Sequence, residues 1–353
     1  MTGHDKEQRA VSQWTLPETK GIQSLVLIPN TTLDSLAPDE VRVKLYAASL
    51  NYRDLVIAKG GVPGNISTGV VPGSDGAGIV EAVGISITKF KPGDRVVTHL
   101  SPFLPDDLAP TMKDISAGLG QFVNGTLREC GNFHESALLL APRNLNFAEA
   151  SSLTCSGLTA WNAIFGLKGR EVHAGSWVLT QGTGGVSIAA LQFAVAVGAN
   201  VVATTSNAEK ARLLESLGAT HVVNYREHRQ WSAIARSFTP DERGFDVIVD
   251  VGGDSTLPES LEAVRTDGIV VLTGLLGGGQ QPVAMLSALR YACTVRGILL
   301  GSRKQFQDMV KFVEERNLHP VLDFRTWALQ DVRRAYDWLD NQKHFSKVVI
   351  RMG

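Results

Sequence analysis

The chain has 353 residues, 34 basic and 35 acidic side chains, and a net charge of −1 at neutral pH. A chain of this length is too long for a single small hydrophobic core, so two domains are expected. The nearly equal numbers of basic and acidic side chains argue against nucleic acid or a membrane surface as a partner. Three cysteines spaced far apart predict neither a disulfide framework nor a four-cysteine zinc lobe. With no apolar segment typical of a secretory signal or a membrane span, the sequence predicts a cytoplasmic protein.

Residues 1–145 have the pattern of a β domain with short strands. Apolar and polar residues alternate over 39–50, which predicts a half-buried strand. Further strands are predicted over 76–84 and 94–100, each preceded by a Pro-Gly turn. Residues 101–125 have weak periodicity, so we predict a loop there, and we expect this loop and residues 59–71 to supply pocket walls.

From about residue 147 the pattern changes to strands that alternate with helices. Strands are predicted over 176–182, 200–206, 220–225, 245–253 and 268–274, and helices over 184–198, 207–218 and 255–265. This alternation predicts an α/β fold, with a doubly wound parallel sheet in a Rossmann domain spanning 146–295. The tail adds predicted strands over 295–300 and 347–351 and helices over 303–316 and 331–341, and we expect residues 296–353 to return to the N-terminal domain.

A glycine-rich turn follows the first strand of this second domain and opens a helix. Its residues are Gly182, Thr183, Gly184, Gly185 and Val186, followed by Ser187 where the usual G-x-G-x-x-G pattern has its third glycine. Glycines permit a tight turn and a close backbone approach to a pyrophosphate, and the N-terminus of a helix favours the negative charge. The turn therefore predicts a dinucleotide cofactor.

The end of the second strand distinguishes the two nicotinamide cofactors. An NAD site places an Asp or Glu there to bind the ribose 2′-hydroxyl, but residues 204–206 read Thr-Thr-Ser. Ser206 can donate to a 2′-phosphate, and Lys210, one helical turn later, can place an ammonium beside it. The sequence therefore predicts NADPH.

Several motifs in the same order resemble the medium-chain dehydrogenase/reductase superfamily, and specifically its zinc-free, quinone-oxidoreductase-like branch. They are LNYRDLVIAKG at 50–60, VPGSDGAGIVEAVG at 71–84, FKPGDRV at 90–96, CSGLTAWNAI at 155–164, QGTGGVSIAALQFA at 181–194 and HFSKVVI at 344–350. The resemblance implies that residues 1–145, completed by 296–353, form a GroES-like β-barrel catalytic domain. It also implies an active site in the cleft against the Rossmann domain, and a homodimer.

The same resemblance implies further cofactor contacts. Tyr225 would approach the adenosine 2′-phosphate, and Phe345 and Lys347 would lie near the nicotinamide. Other residues that the family pattern places near the cofactor are Asn51, Thr126, Thr159, Gly252, Leu275, Leu276 and Leu299.

The metal site is where this chain departs from the zinc-dependent members of that superfamily. Those proteins have a Cys at the position of Asn51 and a His-Glu pair at that of Ser74-Asp75, so that only Cys155 matches a ligand position. Catalytic zinc needs three protein ligands and an open position. The sequence therefore predicts no metal, and it predicts that Cys155 is a small buried residue rather than a ligand.

Without zinc, the reaction must suit a site that stabilises negative charge less strongly. Reducing a ketone gives an alkoxide, whose conjugate acid is about as weak an acid as water, whereas a quinone gives a phenolate-like anion, whose conjugate acid has a pKa of about 10. The quinone therefore needs about 8 kcal/mol less stabilisation, at about 1.36 kcal/mol per pKa unit. Quinones and α,β-unsaturated carbonyls are the predicted acceptors.

The candidate catalytic residues are consecutive in the chain. Tyr52 is the first candidate to supply a proton or hydrogen bond, with Arg53 and Asn51 beside it; alternatively Tyr52 is a packing aromatic and solvent supplies the proton. Asp75 is placed to orient either Arg53 or a ribose. The predicted function is a zinc-independent, NADPH-dependent oxidoreductase acting on a small-molecule quinone or enone. Two alternatives stay open, an NADP-dependent alcohol dehydrogenase or carbonyl reductase and a non-catalytic NADPH-binding protein.

Overall fold

The structure is a computed structural model that describes residues 10–274 and 283–352. The described residues divide into two compact units, one with the chain up to Cys155 and from Leu322 onward, the other from Ser156 to Val321. The strands, in chain order, are β1 (Ala10–Thr15), β2 (Val26–Thr32), β3 (Glu40–Ser49), β4 (Asp75–Val83), β5 (Arg95–Thr98), β6 (Cys130–His134), β7 (Leu138–Leu140), β8 (Trp177–Gln181), β9 (Asn200–Thr205), β10 (His221–Asn224), β11 (Phe245–Asp250), β12 (Val264–Leu272), β13 (Thr294–Gly297), β14 (Leu322–Ala328) and β15 (Lys347–Arg351). The helices are α1 (Tyr52–Ala58), α2 (Met112–Ser116), α3 (Phe147–Ser151), α4 (Leu158–Phe165), α5 (Gly185–Ala196), α6 (Ala208–Ser216), α7 (Trp231–Ser237), α8 (Leu257–Ala263), α9 (Ser287–Arg290), α10 (Arg303–Glu315) and α11 (Val332–Asp340). Among these helices of the described chain, none has the length and apolar character needed to cross a membrane.

The main sheet of the first unit is built around β3. In the part of the chain that the structure describes, its strands follow the order β14-β15-β3-β4-β5-β7, and β6 also pairs with β3. Val41, Val43 and Leu45 are each at most 1 % exposed, while Arg42 and Lys44 between them are half-buried. Because successive side chains of a strand point to opposite faces, this alternation buries one face of β3 in the core, as the sequence predicted.

The second unit contains a parallel sheet. Within the described residues, its strands follow the order β10-β9-β8-β11-β12-β13, and every neighbouring pair is parallel. Its central strands are almost continuously apolar, and Leu179, Val202, Ile248 and Val270 are completely buried. Strands with this composition are typical of a parallel sheet covered on both faces. The predicted doubly wound α/β fold is confirmed.

The C-terminal tail returns to the first unit, but later in the chain than residue 296. β15 pairs antiparallel with β3, with Val349 opposite Ser49. Before that return, β13 is still an edge strand of the parallel sheet, and α10 packs on α4 through the rings of Phe312 and Trp161, 5.3 Å apart. These contacts keep the chain in the second unit as far as Val321, whereas the sequence placed the unit boundaries at 145 and 296.

The segment 101–125 contains a helix where the sequence predicted only loop. Helix α2 begins after Thr111, whose side chain accepts from the backbone N–H of Asp114, while the Asp114 carboxylate accepts from the backbone N–H of Thr111. This capping box satisfies two donors at the start of a helix. Because α2 has only five residues, it is too short to show a helical period in the sequence.

Candidate active site

Helix α1 begins at the motif that carries the three candidate catalytic residues. Asn51 lies just before the helix, and its backbone N–H donates to Asp54 Oδ2 at 2.7 Å, which caps the first turn. Tyr52, the first helical residue, is 48 % exposed, whereas Asn51 is 7 % exposed. The Tyr52 phenol is therefore accessible to a ligand, while the Asn51 amide belongs to the interior.

Arg53 connects α1 to the two segments that the sequence predicted as pocket walls. Its Nη1 donates to the Leu119 carbonyl at 3.0 Å, and its Nη2 lies 3.5 Å from Gln121 Oε1. Gln121 also donates to the Pro63 carbonyl at 2.9 Å. A cavity of about 380 Å³ lies between these segments, lined by Pro63, Gly64, Asn65, Met112, Lys113, Ser116, Ala117 and Phe122.

Asp54 is a carboxyl group buried beneath this motif. It is 2 % exposed, and burial raises its pKa to about 6, although the Arg53 guanidinium favours its charged form. Oδ2 caps α1, and Arg53 Nη1 lies 3.9 Å from Oδ1. These contacts give Asp54 a structural role at the start of α1.

The residues at the metal-ligand positions of zinc-dependent proteins surround the ammonium of Lys347. Its Nζ donates to Asn51 Oδ1, to the Leu50 carbonyl at 2.9 Å and to Asp75 Oδ2 at 3.2 Å. Both charged side chains are buried, with 4 % of the Lys347 side chain and none of the Asp75 side chain exposed. A buried ion pair persists when its remaining polar atoms are also hydrogen-bonded, and this pair meets that condition.

Asp75 has a full set of donors. Besides Lys347, it accepts from Ser74 Oγ at 2.7 Å, from Ser49 Oγ at 3.2 Å and from the backbone N–H of Cys155 at 3.3 Å. The sequence suggested that Asp75 orients Arg53 or a ribose, and the structure pairs it with Lys347 instead. Sequence reasoning missed this partner because the two residues are 272 positions apart.

This donor set does not fit zinc. The carbonyl oxygen of Asn51 and the carboxylate of Asp75 both accept from Lys347. Burial raises the pKa of the Cys155 thiol to about 12, with a smaller contribution from the Asp75 carboxylate. Across residues 10–274 and 283–352, no group of three His, Cys, Asp or Glu side chains is arranged to hold a metal ion.

The glycine turn of the second unit has the shape that a pyrophosphate needs. Gly182 has a φ of +74°, and its N–H donates to the Thr204 carbonyl at 2.9 Å. A Cβ built on Gly182 or on Gly184 meets no atom within 4 Å, so open space lies in front of both residues. Ser187 is buried and donates to the Gln181 carbonyl at 2.6 Å, which satisfies its hydroxyl at the helix–strand contact. These residues fit the cofactor that the sequence predicted, and Thr183, Gly185 and Val186 are half-buried beside them.

A buried aspartate, which the sequence did not single out, holds the next turn of this unit. Asp250 Oδ1 accepts from the N–H groups of Gly252 at 3.0 Å and Gly253 at 2.9 Å. Its Oδ2 accepts from Ser260 Oγ at 2.6 Å and Gln181 Nε2 at 3.3 Å. Asp250 therefore links the strand before the glycine turn to the backbone of Gly252, a predicted cofactor contact. The sequence feature that could have identified Asp250 is its position at the end of an apolar strand.

Of the three residues predicted at the 2′-phosphate, two follow adjacent strands and the third lies in the helix after the first of these strands. Ser206 follows β9, and Tyr225 follows β10, where its N–H donates to the Thr205 carbonyl at 3.0 Å. Lys210 lies in the first turn of α6, which begins at Ala208, and Oδ1 of the N-cap residue Asn207 accepts from the Lys210 N–H at 3.2 Å. Ser206 and Lys210 are half-buried, and Tyr225 is 41 % exposed.

The remaining predicted cofactor contacts differ in accessibility. Thr126 is completely buried, and its hydroxyl donates to the Asp75 carbonyl at 3.0 Å, so it supports the Asp75 backbone. Thr159 and Phe345 are 6 % and 7 % exposed, and Leu299 is 36 % exposed. Leu275 and Leu276 lie outside the described residues.

A GroES-like unit joined to a Rossmann unit with an open glycine turn defines the class of nicotinamide-dependent dehydrogenases and reductases. Residues 37–143 match the family of alcohol dehydrogenase GroES-like domains, and residues 185–315 match the family of zinc-binding dehydrogenases. A zinc-type alcohol dehydrogenase-like protein of Schizosaccharomyces pombe is 41 % identical over 90 % of this chain and 92 % of its own length. This chain belongs to the medium-chain dehydrogenase/reductase superfamily.

Two further comparisons extend over nearly the whole chain. The crystal structure of a putative alcohol dehydrogenase from Sinorhizobium meliloti 1021 superimposes with a TM-score of 0.89 and 35 % identity, covering 99 % of this chain and 100 % of that one. A chloroplastic NADPH-dependent alkenal/one oxidoreductase of Arabidopsis thaliana is 29 % identical over 98 % of this chain and 80 % of its own length. The expected superfamily and fold class are confirmed, and the protein is an oxidoreductase of this superfamily.

Proposed function

We propose that this protein is a zinc-independent, NADPH-dependent reductase of quinones or α,β-unsaturated carbonyls, in the quinone-oxidoreductase-like branch of the superfamily. The observation that carries the proposal is the buried Lys347 ammonium, which binds the oxygen atoms of Asn51 and Asp75 where zinc-dependent proteins hold their metal. A site without a Lewis acid favours acceptors whose reduced form is a weakly basic anion. The Arabidopsis relative is named for such acceptors, the alkenals and alkenones.

The choice of NADPH over NADH rests on charge at the end of β9. No carboxylate lies at 204–206, Ser206 and Tyr225 directly follow the parallel neighbours β9 and β10, and Lys210 lies in the first turn of the helix after β9. An ammonium, a hydroxyl and a phenol are suitable donors for a phosphate. NADPH dependence is also in the name of the Arabidopsis relative.

In this proposal the nicotinamide supplies the hydride, and the residues at the start of α1 bind and orient the acceptor. The exposed phenol of Tyr52 donates a hydrogen bond to the acceptor oxygen and provides the proton, with solvent as the alternative source. Arg53 donates to the carbonyl of Leu119, which lies in the segment 101–125 that the sequence predicted as a pocket wall. We also propose a homodimer and a cytoplasmic location. Among the described residues, Cys130, Cys155 and Cys293 form no disulfide.

A cofactor-oxidation screen tests the function. The purified protein is assayed with NADPH against 1,4-quinones, enones, aldehydes and ketones, with and without a chelator. We expect turnover of quinones or enones that the chelator leaves unchanged. Stoichiometric zinc together with chelator-sensitive reduction of simple aldehydes would identify an alcohol dehydrogenase instead, and tight NADPH binding without any turnover would identify a non-catalytic NADPH-binding protein.

A single substitution tests the cofactor assignment separately. Lys210→Ala removes the ammonium, so the KM for NADPH should rise by about tenfold, equivalent to about 1.4 kcal/mol, while the KM for NADH changes little. Glu215→Ala, an exposed position on the same helix, is the matched control. Wild-type turnover with NADH that equals turnover with NADPH would contradict the assignment.

A further inference from the structure

The segment 298–302, which follows β13, is held by one buried amide in a conformation that its sequence does not favour. Leu300 has a φ of +57°, in the left-handed region that disfavours residues other than glycine. Its carbonyl accepts from Nδ2 of Asn162, on helix α4, at 2.8 Å. Leu300 is 5 % exposed, whereas its neighbour Leu299 is 36 % exposed. The strained residue is therefore buried and held, and the apolar residue before it is left accessible.

Two donors fix the orientation of the Asn162 amide. Its Oδ1 accepts from Nη2 of Arg296 at 2.7 Å and from Nε2 of Gln305 at 3.1 Å. A carboxamide accepts at one end and donates at the other, so these contacts direct the NH₂ group to the Leu300 carbonyl. Because Asn162 is only 3 % exposed, the loss of its amide leaves buried polar groups without a partner.

Gln305 extends this network to the end of the segment. Its Oε1 accepts from the backbone N–H of Ser302 at 2.8 Å, which caps helix α10. A Cβ built on Gly301 would lie 2.8 Å from that oxygen and from Cδ1 of Leu158, so a larger residue would push the segment away from α4. The segment is therefore fastened to α4 and α10 both at its middle and at its end.

The segment lies at the carboxyl end of the parallel sheet, as the glycine turn does. The strands that the structure describes there run parallel, and open sheets of this kind bind ligands outside their carboxyl ends. The glycine turn follows β8, Ser206 follows β9, and the segment follows β13. In the strand order, β9 and β13 lie on opposite sides of β8. A cofactor with its adenosine at β9 therefore extends its nicotinamide half over β11 and β12 toward the segment.

We propose that Asn162 is a positioning residue for the nicotinamide half of the cofactor. By holding Leu300 in its strained conformation, it keeps Leu299 in place to contact that half. Asn162 itself is buried and acts only through the segment. Without its bond, Leu300 can return to a favoured conformation, and the apparent affinity for the cofactor falls with the population of the arrangement that binds it. The proposal rests on the cofactor assignment of the proposed function.

The first test compares two ligands by isothermal titration calorimetry. They are NADPH and adenosine 2′,5′-bisphosphate, which lacks the nicotinamide half. Asn162→Ala should raise the Kd for NADPH by about tenfold, equivalent to about 1.4 kcal/mol, and change the Kd for the bisphosphate by less than about twofold. Asn162→Asp keeps an oxygen for the two donors and removes only the donor to Leu300, so it should give the same selective loss. It replaces the alanine variant if that variant does not fold.

Gln192→Ala is the matched control. Its side chain also holds a loop of the second unit, since Nε2 donates to the His319 carbonyl at 2.8 Å and Oε1 accepts from the Val321 N–H at 3.2 Å. That loop lies beyond the far end of α10 from the segment. Neither Kd should change by more than about twofold. Thermal unfolding of all variants identifies any that bind weakly because they do not fold.

A double-mutant cycle tests whether Asn162 acts through Leu299. Leu299→Ala removes the proposed contact and should raise the Kd for NADPH by itself. In that background, Asn162→Ala should add less than about twofold, because the contact that it positions is already gone. Residues that act independently would instead give losses that multiply.

Three results would overturn the role of Asn162. One is an unchanged Kd for NADPH in Asn162→Ala, another is an equal fractional loss for NADPH and the bisphosphate, and the third is independent losses in the cycle. A wild type that binds NADPH but reduces no acceptor would refute the proposed function, while the Kd comparisons would still decide the role of Asn162. A wild type that does not bind NADPH would refute both.

Discussion

Asp54 illustrates how burial changes the chemistry of a single carboxyl group. Its charged form loses hydration inside the first unit, and the nearby Asp75 carboxylate adds repulsion, so the pKa rises from 3.8 to about 6. The folded protein therefore binds a proton to Asp54 more readily than the unfolded chain does between these two values. Its contribution to the free energy of unfolding falls as the pH rises through that range.

The first prediction concerns Asp54→Asn. An asparagine oxygen can still accept from the Asn51 N–H and cap α1, but it carries no charge. The difference in free energy of unfolding between the variant and the wild type should be small at pH 4. At pH 7 the variant should be more stable than the wild type by about 3 kcal/mol. Denaturant unfolding across this pH range measures it.

The matched control for this prediction is Asp107→Asn, which removes the same charge from an exposed position. Its unfolding free energy relative to the wild type should vary little over the same range. A stability difference for Asp54→Asn that does not increase with pH would contradict the account of Asp54.

At the residue scale, the sequence can group residues that are consecutive in the chain. Asn51, Tyr52 and Arg53 are consecutive and were predicted as one catalytic group, and the structure adds that they lie at the start of a helix, which the sequence analysis did not predict. The partner of Asp75 depends instead on β15 lying beside β3, which brings Lys347 to the end of β4. No local pattern contains that information.

At the scale of elements, the glycine turn before α5 combines two glycines with different backbone needs. Gly182 has a positive φ, which disfavours any other residue. Gly184 has a φ of −79° and a ψ of 172°, which every residue can adopt, and its missing Cβ leaves open space. The backbone conformation therefore does not require glycine at position 184, whereas the proposed pyrophosphate would.

The second prediction uses that difference. Gly184→Ala places a methyl group where the pyrophosphate would lie, so the Kd for NADPH should rise by at least about tenfold, equivalent to about 1.4 kcal/mol. The melting temperature of the cofactor-free protein should be unchanged or slightly higher, because the backbone is unstrained. Isothermal titration calorimetry and thermal unfolding provide the two measurements.

Gly175→Ala is the complementary control. Gly175 has a φ of +83° in the turn before β8 and also has open space around its missing Cβ. This substitution should cost about 1 kcal/mol of stability through backbone strain alone and leave the Kd for NADPH unchanged. Tight NADPH binding by Gly184→Ala would show that the pyrophosphate does not bind at this turn.

At the scale of the whole molecule, we assign the interface of the proposed homodimer to one surface of the second unit. β13 is the edge strand of the parallel sheet, and an edge strand offers unpaired backbone groups to another chain. The segment before it exposes large apolar side chains, with Met285 90 %, Leu286 75 % and Leu289 77 % accessible. An exposed apolar cluster beside an open sheet edge is typical of a subunit interface.

The third prediction is that Leu289→Glu converts a dimer to a monomer. A carboxylate buried at an apolar interface loses its hydration without a partner, which strongly disfavours association. Sedimentation velocity of the wild type and the variant measures the change. Ile85→Glu, at a 93 % exposed position of the first unit, should leave the dimer intact. A monomeric wild type at micromolar concentration would contradict the proposed dimer.

The sequence by itself determined the parallel sheet and the glycine turn, because apolar periodicity and glycine spacing are local properties. Its prediction that metal ligands are absent also depends on residue identity alone. Only the tertiary structure decided that the chain stays in the second unit until Val321, because α10 is held there by packing against α4. Only the tertiary structure placed the Lys347 ammonium between Asn51 and Asp75, since this contact depends on strand pairings between segments far apart in the chain.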